Sequence, residues 1–579
     1  MKVFFRFFRD YPRESVLAPL FKLLEAGFDL LVPLVVASII DRGIGGDDTA
    51  YILRMAGVLV LLAFVGLACV VTAQFFAAKA AVGTAARLRH DLFAHMQSFT
   101  YAETDRVGIP TMITRMTSDI NQVQSGVNMA LRLTLRSPII VLGSMIVAFT
   151  IDVRLALIFA AVIPLLAAVV FGVMLGGIPL YRQAQTKLDE ITGRTRENLN
   201  GVRVIRAYRR EQQEIDAFEA TTEEHTALQN RAGRLTALMN PVTYVLVNLA
   251  VVLLIRQAAP AVDTGRLTQG EVVALVNYMG QILVELVKLA NLILLLTKAA
   301  ACSARVQTVL EMPAGLAVKA EDGLPVPAGE NVPAVSFDRV SLTYEGAAAP
   351  SLSDITFSVP AGSTVGVIGG TGSGKTSLID LIPRFYEATE GTVRVMGRDV
   401  VSYEPAELRA RIGVVPQKAE LFRGTVRSNL LWGTADGQAS DDELWAALEI
   451  AQAADFVREK DGGLDAPVEQ KGRNFSGGQK QRLTIARALV GRPDILILDD
   501  SASALDFATD AALRKALRTL TGTTVFIISQ RTSSIRACDR IVVLEEGCAV
   551  GIGTHEQLLA SCPLYREIHE SQFKGGDEA

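Results

Sequence analysis

Long apolar runs dominate the first half of the chain, and short ones the second half. Six runs before residue 300 each approach or exceed the ~20 residues that a helix needs to cross a bilayer core. They lie at 16–40, 54–78, 129–151, 154–179, 237–261 and 272–297. The pattern predicts an all-α transmembrane domain of six helices over residues 1–310, and an even number of crossings returns both ends to one side.

Lysine and arginine are concentrated in two of the connections between these runs. Segments 79–115 and 182–234 are rich in both, whereas the connections at 41–50 and 263–269 are short and poor in them. Basic connections remain on the cytoplasmic side of a membrane. We therefore expect a multi-pass protein of the cell membrane (plasma or inner), with both termini and the C-terminal domain in the cytoplasm and with helices that extend below the bilayer.

After the last apolar run the chain changes character. Residues 311–333 are rich in proline, glycine and alanine, which is typical of a linker. Beyond them, short β-type runs such as TVGVIGG and ILILDD alternate with helical patterns such as TSLIDLIPRF. This alternation predicts an α/β domain with a mainly parallel sheet over residues 334–575.

Composition agrees with membrane spans and gives no sign of a nucleic-acid partner. Half of the residues are hydrophobic (50%), a high share for a soluble protein. The 57 lysines and arginines are balanced by 61 aspartates and glutamates, for a formal net charge of -4, and no basic block forms a binding arm. The expected surroundings are a lipid bilayer, with no nucleic acid.

A glycine-rich segment, GGTGSGKTS at 369–377, has the spacing G-x-x-x-x-G-K-[ST] between an apolar strand and a helix. In this motif backbone N–H groups surround nucleotide phosphates, the lysine reaches the β- and γ-phosphates, and the hydroxyl binds Mg²⁺. Asp499 ends the apolar strand ILIL and is expected to be a second metal ligand. The predicted phosphate-binding residues are Gly369, Gly370, Thr371, Gly372, Ser373, Gly374, Lys375, Thr376 and Ser377.

Further motifs resemble those of the ATP-binding cassette (ABC) transporters. The sequence NFSGGQKQR at 474–482 resembles the family signature, and the SALD segment at 503–506 resembles its D-loop. The resemblance implies ATP and Mg²⁺ as cofactors, stacking of Tyr344 on adenine, a Q-loop contact of Gln417 with Mg²⁺, and contact of Asp506 across a dimer. The signature residues that it implies contact the partner's ATP are Phe475, Ser476, Gly477, Gly478 and Gln479.

Six spans followed by one such domain resemble an exporter half-transporter of the type IV exporter fold, multidrug-exporter-like. The expected fold is thus an all-α six-helix transmembrane domain with cytoplasmic helix extensions, followed by an α/β P-loop nucleotide-binding domain. Segments 102–120 and 197–218 resemble the cytoplasmic connections that dock on nucleotide domains. The likeness implies a pump made of two chains, with two ATP molecules held between their nucleotide domains.

Three positions depart from the family pattern. Asp500 stands where the family has the glutamate that acts as general base, and one methylene fewer sets the carboxylate back by roughly 1–1.5 Å. A well-placed general base is worth about 10²–10⁴-fold in rate. Gln530 stands at the switch-loop histidine and cannot carry a proton, and Gln470 stands where a glutamate is usual. We expect the chain's own site to hydrolyse ATP slowly.

The signature that the chain offers to a partner is nearly intact, with Phe475 in place of leucine. This asymmetry predicts the degenerate-site subunit of a heterodimer, whose partner is a second ABC half-transporter with the catalytic glutamate and the switch histidine. A slow homodimeric exporter and an ATP-gated regulator or channel are the alternatives. An importer energiser is disfavoured because importers usually carry the two domains on separate chains.

Ionisable residues within the predicted spans are candidates for the substrate path. Glu285 and Lys288 lie in the sixth run, and Glu25 and Asp29 lie in the first. They are either structural ion pairs and helix-end residues, or they face a central cavity and attract cationic substrates. The family resemblance implies a small-molecule substrate of lipophilic or amphipathic character, multidrug-like or lipid-like, and the sequence leaves its identity open.

Overall fold

The computed structural model describes residues 6–313, 315–316, 318, 332–501 and 505–573. They divide into two compact units. The first contains the chain up to Gln97 and Ile109–Met312, and the second contains Ser98–Gly108 and the chain from Pro313 onwards. Most of the predicted linker at 311–333 lies outside the described residues, as do residues 502–504 of the SALD region.

The first unit is helical, with π-helical turns at Ile39–Ile44 and Arg115–Asp119. Six segments among the described residues are long and apolar enough to cross a membrane, from Pro12–Ile44 to Gln269–Leu310, which confirms the six predicted spans. The helices up to residue 310, of which α4 belongs to the second unit, are α1 (Arg6–Asp10), α2 (Pro12–Ser38), α3 (Thr49–Gln97), α4 (Tyr101–Val107), α5 (Ile109–Thr114), α6 (Ile120–Leu133), α7 (Arg136–Ile151), α8 (Val153–Ala207), α9 (Glu211–Ala237), α10 (Met239–Asp263) and α11 (Gln269–Leu310).

Burial in the first unit is that of a bundle surrounded by lipid. Small and aliphatic residues of α8, α10 and α11 form its core, among them Ala156, Ala250 and Ala274. Large apolar side chains point outwards, and Phe64 is 67% exposed. The helices α3 and α8, of 49 and 55 residues, are far longer than the ~20 residues that a bilayer core requires. The excess length forms the predicted helix extensions.

The second unit contains an antiparallel sheet and a larger, mainly parallel sheet. Its strands are β1 (Pro333–Leu342), β2 (Leu352–Pro360), β3 (Thr364–Gly369), β4 (Glu390–Val395), β5 (Arg398–Asp399), β6 (Ile412–Val415), β7 (Gly424–Thr425), β8 (Pro467–Val468), β9 (Ile495–Asp499), β10 (Thr524–Ile528), β11 (Arg540–Glu545) and β12 (Cys548–Gly553). Its remaining helices are α12 (Lys375–Asp380), α13 (Pro405–Ala410), α14 (Val426–Leu430), α15 (Asp441–Ile450), α16 (Ala454–Arg458), α17 (Gly477–Val490), α18 (Phe507–Leu517), α19 (Thr532–Ile535), α20 (His555–Ser561) and α21 (Pro563–Phe573).

The larger sheet has the strand order β12-β11-β3-β10-β9-β6, and all its pairs are parallel except β11 with β12. It confirms the predicted α/β domain with a mainly parallel sheet. The antiparallel sheet β2-β1-β4-β5 is an addition to that prediction. Residues of both sheets, such as Phe337 and Phe526, share one buried core.

The register of the parallel sheet sets the position of the candidate site. Strand β10 lies between β3 and β9, with Ile528 paired to Val367 on one side and to Asp499 on the other. Parallel strands end at the same edge of a sheet, and ligands of open α/β sheets bind at their carboxyl ends. The glycine-rich loop after β3, the acids at the end of β9 and the loop after β10 are therefore brought together.

Candidate nucleotide site

The phosphate-binding loop, Gly369–Thr376, connects β3 to α12. Gly372 and Gly374 have φ angles of +80° and +95°, in the left-handed region that glycine adopts without strain. At Gly369 a Cβ atom would lie 2.2 Å from the carbonyl oxygen of Leu544, so only glycine fits against the neighbouring strand. The loop conformation therefore requires the glycines of the motif at these positions.

Lys375 turns back over this loop. Its Nζ lies 3.0 Å from the Gly369 carbonyl oxygen and 2.6 Å from that of Gly370, and it donates to both. Burial lowers the pKa of Lys375, while the charges of Asp499 and Asp500 act in the opposite direction. The ammonium group thus lies at the mouth of the loop, where an anion would replace the carbonyl groups as its partner.

Thr376 and Asp499 lie together as the predicted metal ligands. The Thr376 hydroxyl donates to Asp499 Oδ2 across 3.3 Å, and Asp499 ends a strand whose five residues are all buried. Burial raises the pKa of Asp499, and the charge of Asp500 adds to this effect. Hydroxyl and carboxylate oxygens are the ligands that Mg²⁺ prefers, and a cation would offset this crowded negative charge, so the residues present fit Mg²⁺.

Asp500 follows in a left-handed backbone conformation, with φ of +43°. Aspartate is one of the few non-glycine residues enriched in this region. Its N–H donates to the Ile528 carbonyl oxygen at 3.0 Å, which fixes the residue against β10. Burial raises the pKa of Asp500, opposed by a hydrogen bond with Gln417 and by the charges of Arg531 and Lys375.

Most of the predicted catalytic and metal-binding residues line one small cavity of about 140 Å³. The structure brings together the phosphate-binding loop, both acids, the Q-loop glutamine and the switch position of Gln530. Its lining residues are Thr371, Gly372, Lys375, Thr376, Gln417, Asp499, Asp500, Ile528, Ser529 and Gln530.

The other predicted contacts lie outside this cavity. The Tyr344 hydroxyl donates to Ser377 Oγ at 2.9 Å, and its ring meets that of Tyr386 edge-on at 5.0 Å, so this tyrosine lies beside the first turn of α12. Asp506 caps α18, because its two carboxylate oxygens accept bonds from the N–H and hydroxyl of Thr509 at 2.8 and 2.9 Å. These bonds lower the pKa of Asp506.

The signature segment, Phe475–Gln479, begins α17. Ser476 and Gln479 form a capping box, with the Ser476 hydroxyl accepting from the Gln479 N–H at 3.3 Å and the Gln479 side chain accepting from the Ser476 N–H at 3.0 Å. A Cβ atom built on Gly477 meets nothing within 4 Å. Phe475 is buried beside Phe456, with Lys460 over its ring, so its side chain anchors the segment in the core.

One titratable group and one set of aromatic contacts near the site were missed from the sequence. Asp380, one helical turn after Thr376, has a pKa raised to about 7 by burial and by the charge of Asp499. The segment Ser98–Gly108 belongs to the second unit. In it Tyr101 stacks on Phe385 at 4.5 Å, and Asp105 accepts a hydrogen bond from Tyr386 at 2.6 Å. The family resemblance had pointed to 102–120 as a docking connection, but its partners Phe385 and Tyr386, a few residues after α12, were not predicted.

In the first unit, the candidate path residues form an ion cluster between α2, α7 and α11. Arg136 donates to Glu285 Oε1 at 2.6 Å and to Asp29 Oδ2 at 2.8 Å, and its Nε lies 3.4 Å from Glu25 Oε1. The cluster consists of Lys22, Glu25, Asp29, Arg136, Ser137, Glu285 and Lys288.

Within the ion cluster, the acids differ in exposure. Glu285 is buried and also accepts from Ser137 Oγ at 2.7 Å and Lys288 Nζ at 2.8 Å. The Asp29 side chain remains 42% exposed. Glu285 is therefore held in ion pairs, whereas Asp29 is paired with Arg136 and remains partly exposed.

Comparison with known proteins agrees with this architecture. Residues 15–286 match the model of the ABC transporter transmembrane region, and residues 352–503 match the ABC transporter model. An uncharacterized ABC transporter ATP-binding protein of Mycobacterium tuberculosis is 37% identical over 97% of both chains. YfiB of Bacillus subtilis, also an uncharacterized ABC transporter ATP-binding protein, is 33% identical over 98% of both.

Two further matches concern function and fold. A multidrug efflux ATP-binding/permease protein of Mycobacterium tuberculosis is 32% identical over 83% of this chain and 40% of its own length. The structure of a bacterial Atm1-family ABC exporter with ATP bound superposes with a TM-score of 0.79 at 24% identity, over 97% of this chain and 99% of that chain, which shows the shared fold. The chain belongs to the ABC transporters, and it carries both the transmembrane region and the ATP-binding domain of that family.

Proposed function

We propose that this chain is the slow-site half of a heterodimeric exporter of lipophilic or amphipathic small molecules, multidrug-like or lipid-like. The observation that carries the proposal is the cavity that Asp500 and Gln530 share with Lys375. Both departures from the family pattern lie in the site that binds the nucleotide, so they affect the same reaction.

The residues that line the cavity have separate roles toward the phosphates, the metal ion and the attacking water. Lys375 and the loop amides hold the phosphates of ATP, and Thr376 and Asp499 hold Mg²⁺, which neutralises phosphate charge when bound. Asp500 has the shorter reach and is engaged by Gln417, which places its carboxylate poorly for activating an attacking water. Gln530 is able to donate a hydrogen bond to the terminal phosphate but not to carry a proton.

The signature segment is suited to serve another chain. Gly477 has open space at its Cβ position, so the fold of this chain does not require glycine there. In the family this segment meets the ATP held by the other chain, and a glycine permits a close approach of backbone to phosphate. We infer that the chain retains what it gives to its partner's site and has lost what its own site needs.

An asymmetric mutational response is expected from the purified complex. Gly477→Val should lower total ATP turnover at least tenfold, because it blocks the partner's competent site. Asp500→Asn should change turnover by less than about twofold, because the site that it alters contributes little. Steady-state ATPase assays of the two variants and the parent complex in lipid nanodiscs measure both effects, with thermal melting as the folding control.

Equal and large losses in both variants would instead indicate a homodimer with two working sites. Fast, substrate-stimulated hydrolysis by the chain purified without a partner would also end the proposal. A Gly477→Val complex with unchanged turnover would show that the signature segment does not complete a site.

The proposed substrate path runs along the ion cluster in a cell membrane whose cytoplasmic side carries the nucleotide domains. Asp29 is its exposed acid and would attract a cationic group, while Arg136, which is also paired with Glu285 and Glu25, holds it in place. Asp29→Asn is expected to reduce uptake of a lipophilic cation by inside-out vesicles several-fold and to spare a neutral compound of similar size. Equal transport of both compounds by the variant would remove Asp29 from the path.

The segment at 102–120 is proposed to link the two functions. Its Asp105, and Tyr101 just before it, contact Tyr386 and Phe385, which lie a few residues beyond the helix that begins with Lys375. The segment at 197–218, within α8 and α9, is proposed to play the same part toward the partner chain.

A further inference from the structure

One face of α21 carries polar and aromatic side chains directed at the loop after β10. Tyr565, His569 and Gln572 follow one another at i, i+4 and i+7, which places them on one side of a helix. His569 Nδ1 lies 3.3 Å from the hydroxyl of Thr532, the first residue of α19. The face therefore meets the segment Ser529–Arg531, the switch loop, where it enters α19.

Gln572 makes the closest of these contacts. Its Oε1 accepts from the Thr532 N–H at 2.9 Å and from the Thr532 hydroxyl at 3.0 Å. Its Nε2 donates to the Gln530 carbonyl oxygen at 2.7 Å. A carboxamide offers an acceptor and a donor together, so this one side chain bridges the backbone on both sides of Arg531.

Ser529, at the start of the switch loop, makes two further hydrogen bonds that support it. The Ser529 N–H donates to the Val367 carbonyl oxygen at 3.1 Å, and the Ser529 hydroxyl accepts from the Arg531 N–H at 3.0 Å. These bonds fix the side of the loop that faces β3. Gln572 adds its bonds at Gln530 and Thr532, so the backbone on either side of Arg531 is held by α21 as well.

The helix that carries Gln572 is itself firmly held. Tyr565 is fully buried in a core cluster with Ile368 of β3 and Ile541 of β11. Arg566 donates from Nε to the Leu559 carbonyl oxygen at 2.8 Å and from Nη2 to that of Ala560 at 2.9 Å. Gln572 therefore projects from a rigid element onto the loop.

We propose that Gln572 is a positioning residue of the nucleotide site, which holds the backbone of Gln530 so that its side chain faces the terminal phosphate of ATP. The inference rests on the nucleotide site proposed above and acts through Gln530, which lines the cavity with Lys375. Loss of the Gln572 side chain therefore weakens binding only of nucleotides that carry a third phosphate. Binding of ADP, which lacks that phosphate, does not depend on it.

The test compares two nucleotides on the full-length chain in nanodiscs, together with its partner where one co-purifies. The probes are AMP-PNP, which is not hydrolysed, and ADP, both with Mg²⁺. Gln572→Leu should weaken AMP-PNP binding about fivefold, the effect of one hydrogen bond, and leave ADP binding unchanged. Gln572→Glu keeps the acceptor for Thr532 but loses the donor to Gln530, and should show the same selective loss.

Ser571→Ala is the matched control, since the Ser571 hydroxyl is bonded to the Ile568 carbonyl oxygen of its own helix at 2.9 Å. Equal weakening of both nucleotides, or of neither, in Gln572→Leu overturns the proposal, and so does a Gln572→Glu protein that binds like the parent. The test measures nucleotide binding and not hydrolysis. If the chain's own site proved to hydrolyse ATP fast, the proposed slow-site function would be refuted, but the role of Gln572 would still be decided by the binding data.

Discussion

Replacing Asp500 by glutamate and Gln530 by histidine in the same chain is expected to raise ATP turnover at its own site about 10- to 100-fold. Glutamate moves the carboxylate forward by about 1–1.5 Å toward the attacking water, and histidine is able to carry a proton at the switch position. Both side chains line the same cavity, and the Asp500 N–H is bonded to Ile528, so the exchange alters reach and chemistry more than backbone position.

The gain is measured where the partner's site is silent. ATP turnover is compared in a complex whose partner carries glutamine in place of its catalytic glutamate, so that hydrolysis reports on this chain alone. The single variants Asp500→Glu and Gln530→His separate the two contributions. The variant Asp500→Asn gives the ATP turnover that remains without a carboxylate at this position. If the double variant turns over no faster than the parent chain, the short carboxylate is not the reason for a slow site.

Replacing Arg136 by methionine is expected to destabilise the transmembrane unit by about 3–5 kcal/mol. The guanidinium is bonded to Glu285 and Asp29 and lies 3.4 Å from Glu25, so its removal leaves three acids facing one another without their shared cation. The measurement is the thermal and denaturant unfolding of the purified protein in the same detergent.

Arg132→Met is the control, four residues earlier near the end of α6, where the arginine reaches Asn128 only at 3.5 Å. Adding Glu285→Gln and Asp29→Asn to Arg136→Met should restore part of the lost stability, because the buried charge is removed with its partner. A loss in Arg136→Met no larger than that in Arg132→Met would show that the ion cluster contributes little to the stability of the bundle.

Sequence patterns were sufficient to predict those parts of the protein whose structure depends on interactions within one short segment. Each membrane span is specified by the solvation of its own residues, and the phosphate-binding loop by the backbone freedom of Gly372 and Gly374. The parallel sheet followed from the alternation of short strands and helices. In these cases the residues that form the recognisable pattern are the same residues that determine the local structure.

Contacts between distant segments were beyond the sequence. Whether Asp29 is exposed or Glu285 buried depends on where Arg136 of another helix projects. Phe475 occupies a motif position but is buried against Phe456, which no motif spacing reveals. Gln572 looks like an ordinary polar residue of a surface helix until its contact with Gln530 is known. Such assignments require the packing of elements far apart in the chain.

The contact between α21 and the switch loop has a practical consequence for handling the protein. Gln572 is the penultimate residue of a helix that ends at Phe573. An affinity tag fused directly after this helix is expected to disturb the hydrogen bonds of Gln572 with Gln530 and Thr532. It would then alter the measured activity without contacting the nucleotide. Tags for biochemical work are better placed at the other end of the chain or behind a cleavable flexible spacer.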